Sequence, residues 1–84
     1  MTEAILRKAI DVLANRAAIY GHAEDNAAKI AVGWSVIFGC EVSESQVALA
    51  MAWVKIARLI DNPKHEDSWV DLAGYASYGG KVSL

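Results

Sequence analysis

The sequence predicts an all-α fold, a compact bundle of four helices. Apolar residues recur at spacings of three and four along four segments, and no segment alternates between apolar and polar residues as strands do. The links between these segments are about four to six residues long, which is normal for helix connections in a bundle. We therefore predict one helical domain that spans residues 1–84, with helices at about residues 3–19, 26–38, 44–61 and 68–78.

The first two helices are indicated by apolar periodicity and by residues that suit helix ends. Leu6 and Ile10 belong to the apolar face of the first segment. Asp25 or Asn26 is expected to cap the second helix, because a short polar side chain can accept the first free amide hydrogens. Gly33 lies in the middle of that helix, where glycine costs about 1 kcal/mol relative to alanine. We therefore expect another backbone to approach closely at Gly33.

The third helix is the most apolar segment of the chain. Ser43, followed three residues later by Gln46, is a capping box and predicts the beginning of this helix. Almost every position from 47 to 60 is apolar, which is typical of a helix at the centre of a bundle or between subunits. Because 55% of only 84 residues are hydrophobic, we expect a homo-oligomer that buries the excess. The third helix is expected to hold it through Val47, Met51 and Val54.

The fourth helix is predicted to fold back against the third. Pro63 ends the third helix, since proline disfavours a helical conformation at the residue before it. Asp67 or Ser68 is expected to cap the fourth helix. Gly79 and Gly80 are expected to end it.

Charge and cysteine content exclude several classes of protein. The formal net charge is -2 and the basic residues do not cluster, so we expect no DNA partner. Cys40 is the only cysteine, which excludes an intrachain disulfide and suits a reducing compartment. No apolar stretch approaches the roughly 20 residues that span a membrane, and residues 1–3 do not begin a signal peptide. We expect a cytoplasmic protein without a membrane partner.

Charged and aromatic side chains of the third and fourth helices are predicted to meet along one seam. Lys55 and Arg58 lie three residues apart on the third helix. Asp67, Asp71 and Tyr75 lie four residues apart on the fourth. One interpretation is an internal network of salt bridges, because unpaired charges are costly in apolar surroundings. The other is a cleft in which the cations bind phosphate and Tyr75 contacts a base or a ribose.

A second concentration of polar groups lies between the first and second helices. Arg16 and Asn26 flank Tyr20 and Gly21, and the glycine frees the backbone to point its amides at an anion. The alternative is a glycine that ends the helix beside a packed tyrosine. If these two regions bind a ligand, the predicted ligand-binding residues are Lys55, Arg58, Tyr75, Tyr20, Arg16 and Asn26.

Carboxylates near the beginning of the fourth helix are candidate metal ligands. Asp67 and Asp71 lie one turn apart beside Glu66, and magnesium takes such hard oxygen ligands. The same spacing is common on solvated helix faces. The serines lack a neighbouring pattern of histidine and carboxylate, so we predict no catalytic residue. We predict no resident cofactor, with magnesium required only if the protein is an enzyme.

Three separated motifs resemble a known family. They are Arg16 to Gly21 with Asn26, the run from residue 47 to 58, and the run from residue 67 to 76. Together they resemble a family of short bacteriophage and prophage all-α domains of unassigned function. The last motif is also similar to phage nucleotide-modification-associated domains and, more distantly, to MazG-like nucleotide pyrophosphohydrolases.

The more distant resemblance implies an oligomeric helical protein that handles nucleotides, with Asp67 and Asp71 matching part of a magnesium-binding set. The pyrophosphohydrolases carry paired glutamates on the preceding helix, where this chain has Met51, Lys55 and Arg58. Cations in place of carboxylates weaken metal binding and favour phosphate. We therefore predict a phage-type protein, in the host cytosol, that binds a nucleotide or a nucleotide-derived signal without cleaving it. The alternatives are a magnesium-dependent nucleoside triphosphate pyrophosphohydrolase and a module that binds a host protein.

Overall fold

The computed structural model of the protein describes residues 2–84, apart from the side chains of Tyr20, Ala23 and Glu24. Four helices follow one another: α1 (Thr2–Tyr20), α2 (Ala23–Phe38), α3 (Glu44–Asp61) and α4 (Glu66–Ser83). Residues 2–84 contain no strand, so the predicted all-α fold of four helices is confirmed. None of the helices in this range combines the length and the apolar character that a membrane span requires.

The beginning of α2 differs from the prediction. Gly21 ends the link after α1 with a φ of 83°, and His22 then occupies the N-cap position without a capping hydrogen bond from its side chain. The backbone amides of Asp25 and Asn26 donate to the carbonyl oxygen of His22, at 3.1 and 3.2 Å. Asp25 and Asn26 therefore lie inside the first turn and do not cap the helix. Because the glycine turns the chain so sharply, the helix begins three residues earlier than its polar residues suggested.

The beginning of α4 also differs from the prediction. His65 is at the N-cap position, and Asp67 and Ser68 already belong to the helix. Ser68 is fully buried, and its hydroxyl lies 2.7 Å from Nδ1 of His65. The serine therefore satisfies the histidine ring and not the free amides of the helix terminus.

The glycine pair near the C-terminus does not end α4, which continues to Ser83. A β-carbon built on Gly79 would stand 2.9 Å from the Cβ of Ala48, so the glycine permits close contact between α3 and α4. The hydroxyl of Ser83 also donates to the carbonyl oxygen of Gly79, at 2.7 Å. Packing against α3 therefore overrides the low helix propensity of the two glycines.

The close approach expected at Gly33 is absent. No atom lies within 4 Å of a β-carbon built at that position, and Gly33 is exposed. The close contact between helices occurs at Gly79 instead.

The capping box at the beginning of α3 is confirmed. The amide of Gln46 donates to the hydroxyl of Ser43 at 3.1 Å, and the amide of Ser43 donates to Oε1 of Gln46 at 2.9 Å. Just before it, the amide of Val42 donates to the hydroxyl of Ser35 at 2.8 Å, which joins the link to α2. These three bonds fix the angle at which α3 leaves the link.

The buried core lies where α2, α3 and α4 meet, and alanines let these helices approach closely. α4 contacts each of the other three helices, most extensively α3, whereas α1 packs mainly against α4. The central helix is therefore α4 and not α3. Val47 is fully buried in the core, so it cannot take part in the oligomer contact that we expected, and Met51 packs against the same core. The buried members of this cluster are Ala27, Ala31, Val47, Ala48 and Tyr78.

Candidate ligand-binding cavity

A cavity of about 130 Å³ lies between α1 and α4, with contributions from α2 and α3. Most of its wall is apolar. The apolar and small residues that line it are Ala9, Val12, Leu13, Gly21, Ala27, Ile30, Met51, Val70 and Gly74.

Five polar side chains complete the lining of the cavity. They come from two regions that were predicted to be rich in polar groups. One is the junction of α1 with α2, and the other is the face of α4 that carries Asp71 and Tyr75. Arg16 and Asn26 are exposed, so they stand where the cavity meets solvent, whereas Asp71 and Tyr75 are partly buried. The five polar lining residues are Arg16, Asn26, Asp71, Tyr75 and Tyr78.

The two tyrosines form an aromatic pair on one side of the cavity. The ring centroids of Tyr75 and Tyr78 are 5.7 Å apart and their planes meet at 78°, an edge-to-face arrangement that aromatic rings favour. The Tyr78 side chain is 8% exposed, and this burial is the main reason that its pKa is raised above the ordinary 10.0. The nearby Tyr75 raises the pKa further, and the positive charge of Arg16 partly offsets both effects. The phenol is therefore neutral at physiological pH and can both donate and accept a hydrogen bond.

An ion pair joins α3 to α4 beside the cavity. Nζ of Lys55 lies 3.0 Å from Oδ2 of Asp71, as the fold-back of the two helices predicted. The Lys55 side chain is 12% exposed and that of Asp71 is 36% exposed. This pair is the internal salt bridge of the first interpretation, yet Asp71 also lines the cavity of the second.

Some of the predicted ligand-binding residues line the cavity, and others do not. Arg16, Asn26 and Tyr75 line the cavity, whereas Lys55 faces Asp71 outside the lining and Arg58 is exposed away from it. The side chain of Tyr20 lies outside the described residues, so its predicted ligand contact stays a prediction.

Tyr78 lines the cavity but was not among the predicted ligand-binding residues. It follows Asp71 and Tyr75 at spacings of four and three, so its position on the same helix stripe could have shown it.

The three predicted metal ligands lie in α4 and differ in their contacts. Glu66 pairs with Lys8 of α1, Asp71 pairs with Lys55, and Asp67 is exposed. Among the residues that the structure describes, no group of three or more histidine, cysteine, aspartate or glutamate side chains is placed to hold a metal ion. A magnesium site on Asp67, Asp71 and Glu66 therefore stays a prediction, and the pairing of Asp71 and Glu66 with lysines does not favour it.

Comparisons with known proteins bear on the origin of the chain. A family described as a domain of unknown function, DUF6378, matches residues 4–83. The Gene 55 protein of Mycobacterium phage L5 is 41% identical over 70 residues, which cover 82% of this chain and 45% of the relative. The Gene 55 protein of Mycobacterium phage D29 is 39% identical over 77 residues, which cover 90% of this chain and 51% of the relative.

The chain thus spans about half the length of the curated relatives it matches. No solved structure matches it. The resemblance to phage domains of unassigned function is confirmed, whereas the resemblance to MazG-like pyrophosphohydrolases receives no support from these comparisons.

Proposed function

We propose that this chain, which belongs to the DUF6378 family, binds a nucleotide or a nucleotide-derived small molecule in the cavity between α1 and α4. The proposed function does not include cleavage of the ligand. One observation carries the proposal. The cavity gathers a guanidinium, an amide, a carboxylate and two phenols from separate parts of the chain around an apolar interior. A mostly apolar pocket with a few convergent polar groups is the usual form of a small-molecule site.

The size of the cavity suits the ring of a ligand rather than a whole nucleotide. An apolar cavity of about 150 Å³ in another protein is known to hold one benzene molecule. The cavity of about 130 Å³ in this chain is close to that volume. A nucleobase ring would therefore enter the cavity, and the sugar and phosphates would extend into solvent past Arg16 and Asn26, which are exposed at its edge.

The polar groups match the chemistry of a nucleobase inside and a phosphate outside. The side-chain amide of Asn26 can donate and accept, and the Asp71 carboxylate accepts from ring or exocyclic N–H groups. Tyr75 offers an aromatic surface for the base. The guanidinium of Arg16 can donate two parallel hydrogen bonds to a phosphate, a geometry that lysine cannot provide.

Binding without cleavage is proposed because two of the three predicted metal ligands already have cationic partners. Asp71 is compensated by Lys55, and Glu66 by Lys8. A group that activates water for attack on a phosphate needs a carboxylate or metal site free for that purpose. The arrangement supports recognition of a ligand more directly than hydrolysis.

Titration calorimetry with nucleoside mono-, di- and triphosphates and with cyclic nucleotides tests the proposal. We expect at least one of them to bind at submillimolar concentration. The Arg16→Gln variant should weaken that binding by about tenfold or more, since a hydrogen bond to a charged group contributes about 1.5–3 kcal/mol. The matched control is Arg58→Gln, which removes the same side chain from an exposed position of α3 outside the cavity.

A cavity-filling variant provides the second arm of the test. Gly74 lines the cavity, and a β-carbon added there would meet only Cδ2 of Leu13, at 3.9 Å. Gly74→Leu should therefore place a larger side chain in the space of the ring and abolish binding, while circular dichroism confirms that the helices remain. The proposal is wrong if no nucleotide binds, or if the folded Gly74→Leu variant binds as tightly as the unmodified protein.

A further inference from the structure

The outer face of α3 is a continuous apolar surface. Leu49, Trp53 and Ile60 are 70%, 66% and 73% exposed. Together with the partly buried Ile56 they follow one another at spacings of four, three and four, which place them on one side of the helix. The same spacing forms the contact seam between two packed helices. Lys55 lies on the opposite side of α3, where it pairs with α4.

The total surface of the chain is larger than a folded monomer of its mass should expose. The accessible surface is 5995 Å². A monomer of 9.0 kDa is expected to expose about 4,900 Å². The excess of about 1,100 Å² exceeds the roughly 800 Å² that each partner buries in a protein interface of standard size.

The dimensions of the chain agree with this excess. The radius of gyration is 13.3 Å, against about 11.8 Å expected for a domain of this length. The chain therefore leaves uncovered about as much surface as one stable interface would bury.

We infer that a second copy of this chain covers the outer face of α3, with the two α3 helices antiparallel and crossing at Trp53. A two-fold pair buries the same face on both copies, so one apolar face is sufficient. Trp53 lies midway between Gln46 and Ile60, so an antiparallel crossing brings the two tryptophans together near the two-fold axis. This inference does not depend on the proposed ligand, because none of these α3 residues lines the cavity.

The carboxylate at the C-terminal end of the face favours one direction of pairing. Asp61 is exposed at the C-terminal end, and Gln46 is exposed at the N-terminal end. Parallel helices would place the two Asp61 carboxylates side by side, and like charges repel. Antiparallel helices that cross at Trp53 hold the two Asp61 carboxylates at opposite ends of the interface.

A groove beside the face suits the side chains of a second copy. It has a volume of about 320 Å³, runs between α3 and α4, and shares Leu49 with the outer face. Most of the residues that line it are small, and they include Ala52, Ala76 and Gly80. In paired helices, side chains of one helix insert into holes between the side chains of the other.

Sedimentation velocity of the full chain at micromolar concentration tests the inference. We expect a species of twice the 9.0 kDa chain mass. Leu49→Glu and Trp53→Glu should each weaken self-association at least a hundredfold and leave a folded monomer. Val36→Glu is the matched control, because Val36 is 79% exposed on α2, away from this face, and should leave the dimer intact.

Crosslinking tests the direction of pairing. Trp53→Cys combined with Cys40→Ser should be joined rapidly by a short thiol-reactive crosslinker, because the two positions meet at the axis. The unmodified protein, whose only cysteine is the exposed Cys40, should not be joined, because antiparallel helices hold the two Cys40 residues far apart.

Three results would overturn the inference. The first is a monomer at all micromolar concentrations, whether or not the chain binds some other protein. The second is a dimer that dissociates on Val36→Glu but survives Trp53→Glu. The third is a dimer in which Cys40 is joined to Cys40 and position 53 is not.

Discussion

Lys55 and Asp71 form an ion pair of 3.0 Å that joins α3 to α4 at the edge of the cavity. The lysine side chain is 12% exposed and the aspartate side chain 36%, so the ammonium is the more desolvated partner. A charge removed from water depends on its counter-charge much more than a solvated one does. Removing the carboxylate should therefore lower the free energy of unfolding by a different amount than removing the ammonium.

Asp71→Asn should destabilise the protein more than Lys55→Met. The first change leaves a desolvated ammonium without its carboxylate, which we expect to cost about 1–3 kcal/mol of the free energy of unfolding. The second removes the charge, keeps most of the apolar stem, and should cost less than about 1 kcal/mol. Urea unfolding measures both.

The double variant is the control for this pair. Lys55→Met combined with Asp71→Asn should be more stable than Asp71→Asn alone, because no uncompensated charge remains. An Asp71→Asn protein as stable as the unmodified one would show that the ion pair does not hold the two helices together.

Gly79→Ala and Gly33→Ala should change stability in opposite directions. An added methyl group at Gly79 meets the Cβ of Ala48 at 2.9 Å, so α3 and α4 must separate, at an expected net cost of about 1–2 kcal/mol. The same change at Gly33 meets nothing within 4 Å and should stabilise α2 by about 0.5–1 kcal/mol. Thermal unfolding of the two variants measures the difference. A shift of both variants in the same direction would contradict the close contact at Gly79.

The buried Tyr78 should make stability depend on pH above the ordinary tyrosine range. Because burial raises its pKa above 10.0, the folded state holds the phenolic proton more tightly than the unfolded state does. The stability that this group contributes is fully present below pH 10.0 and is lost as the pH rises through the folded-state pKa. Urea unfolding at several pH values on both sides of 10.0 measures the loss.

Tyr78→Phe separates this effect from the titration of lysines, which is common to both proteins. The free energy of unfolding of the variant should fall less steeply with alkaline pH, by up to about 1.4 kcal/mol per pH unit. Equal slopes for the two proteins would mean that the phenol is not buried in the folded state.

Local patterns predicted the helices and one contact between them. The capping box joins Ser43 to Gln46, three residues later. The pairing of Lys55 with Asp71 follows from the helical spacing of charges on two helices that a short link folds back against each other. Such features depend on helix geometry alone, so the sequence is sufficient to find them.

Features that depend on how the helices are arranged were not predictable in this way. The apolar residues of α3 indicated a central helix. Hydrophobicity alone does not show which apolar side of a helix packs against the other helices of the chain and which side stays exposed. Tyr78 is buried because Gly79 lets α4 approach α3, and that register is not visible in the periodicity. Arg16 of α1 and Asn26 of α2 line the same cavity as Asp71 of α4, and this meeting depends on how the helices pack and not on the periodicity of any one helix.

Nitrogen-15 NMR of the protein, during titration with the nucleotide that binds best, tests whether the cavity between α1 and α4 is the nucleotide site. We predict that the backbone amides of Gly21, Asn26, Gly74 and Tyr75 shift together and saturate at submillimolar ligand, while that of the distant Gly39 does not move. Shifts confined to the outer face of α3, or no shifts with any nucleotide, would contradict the claim.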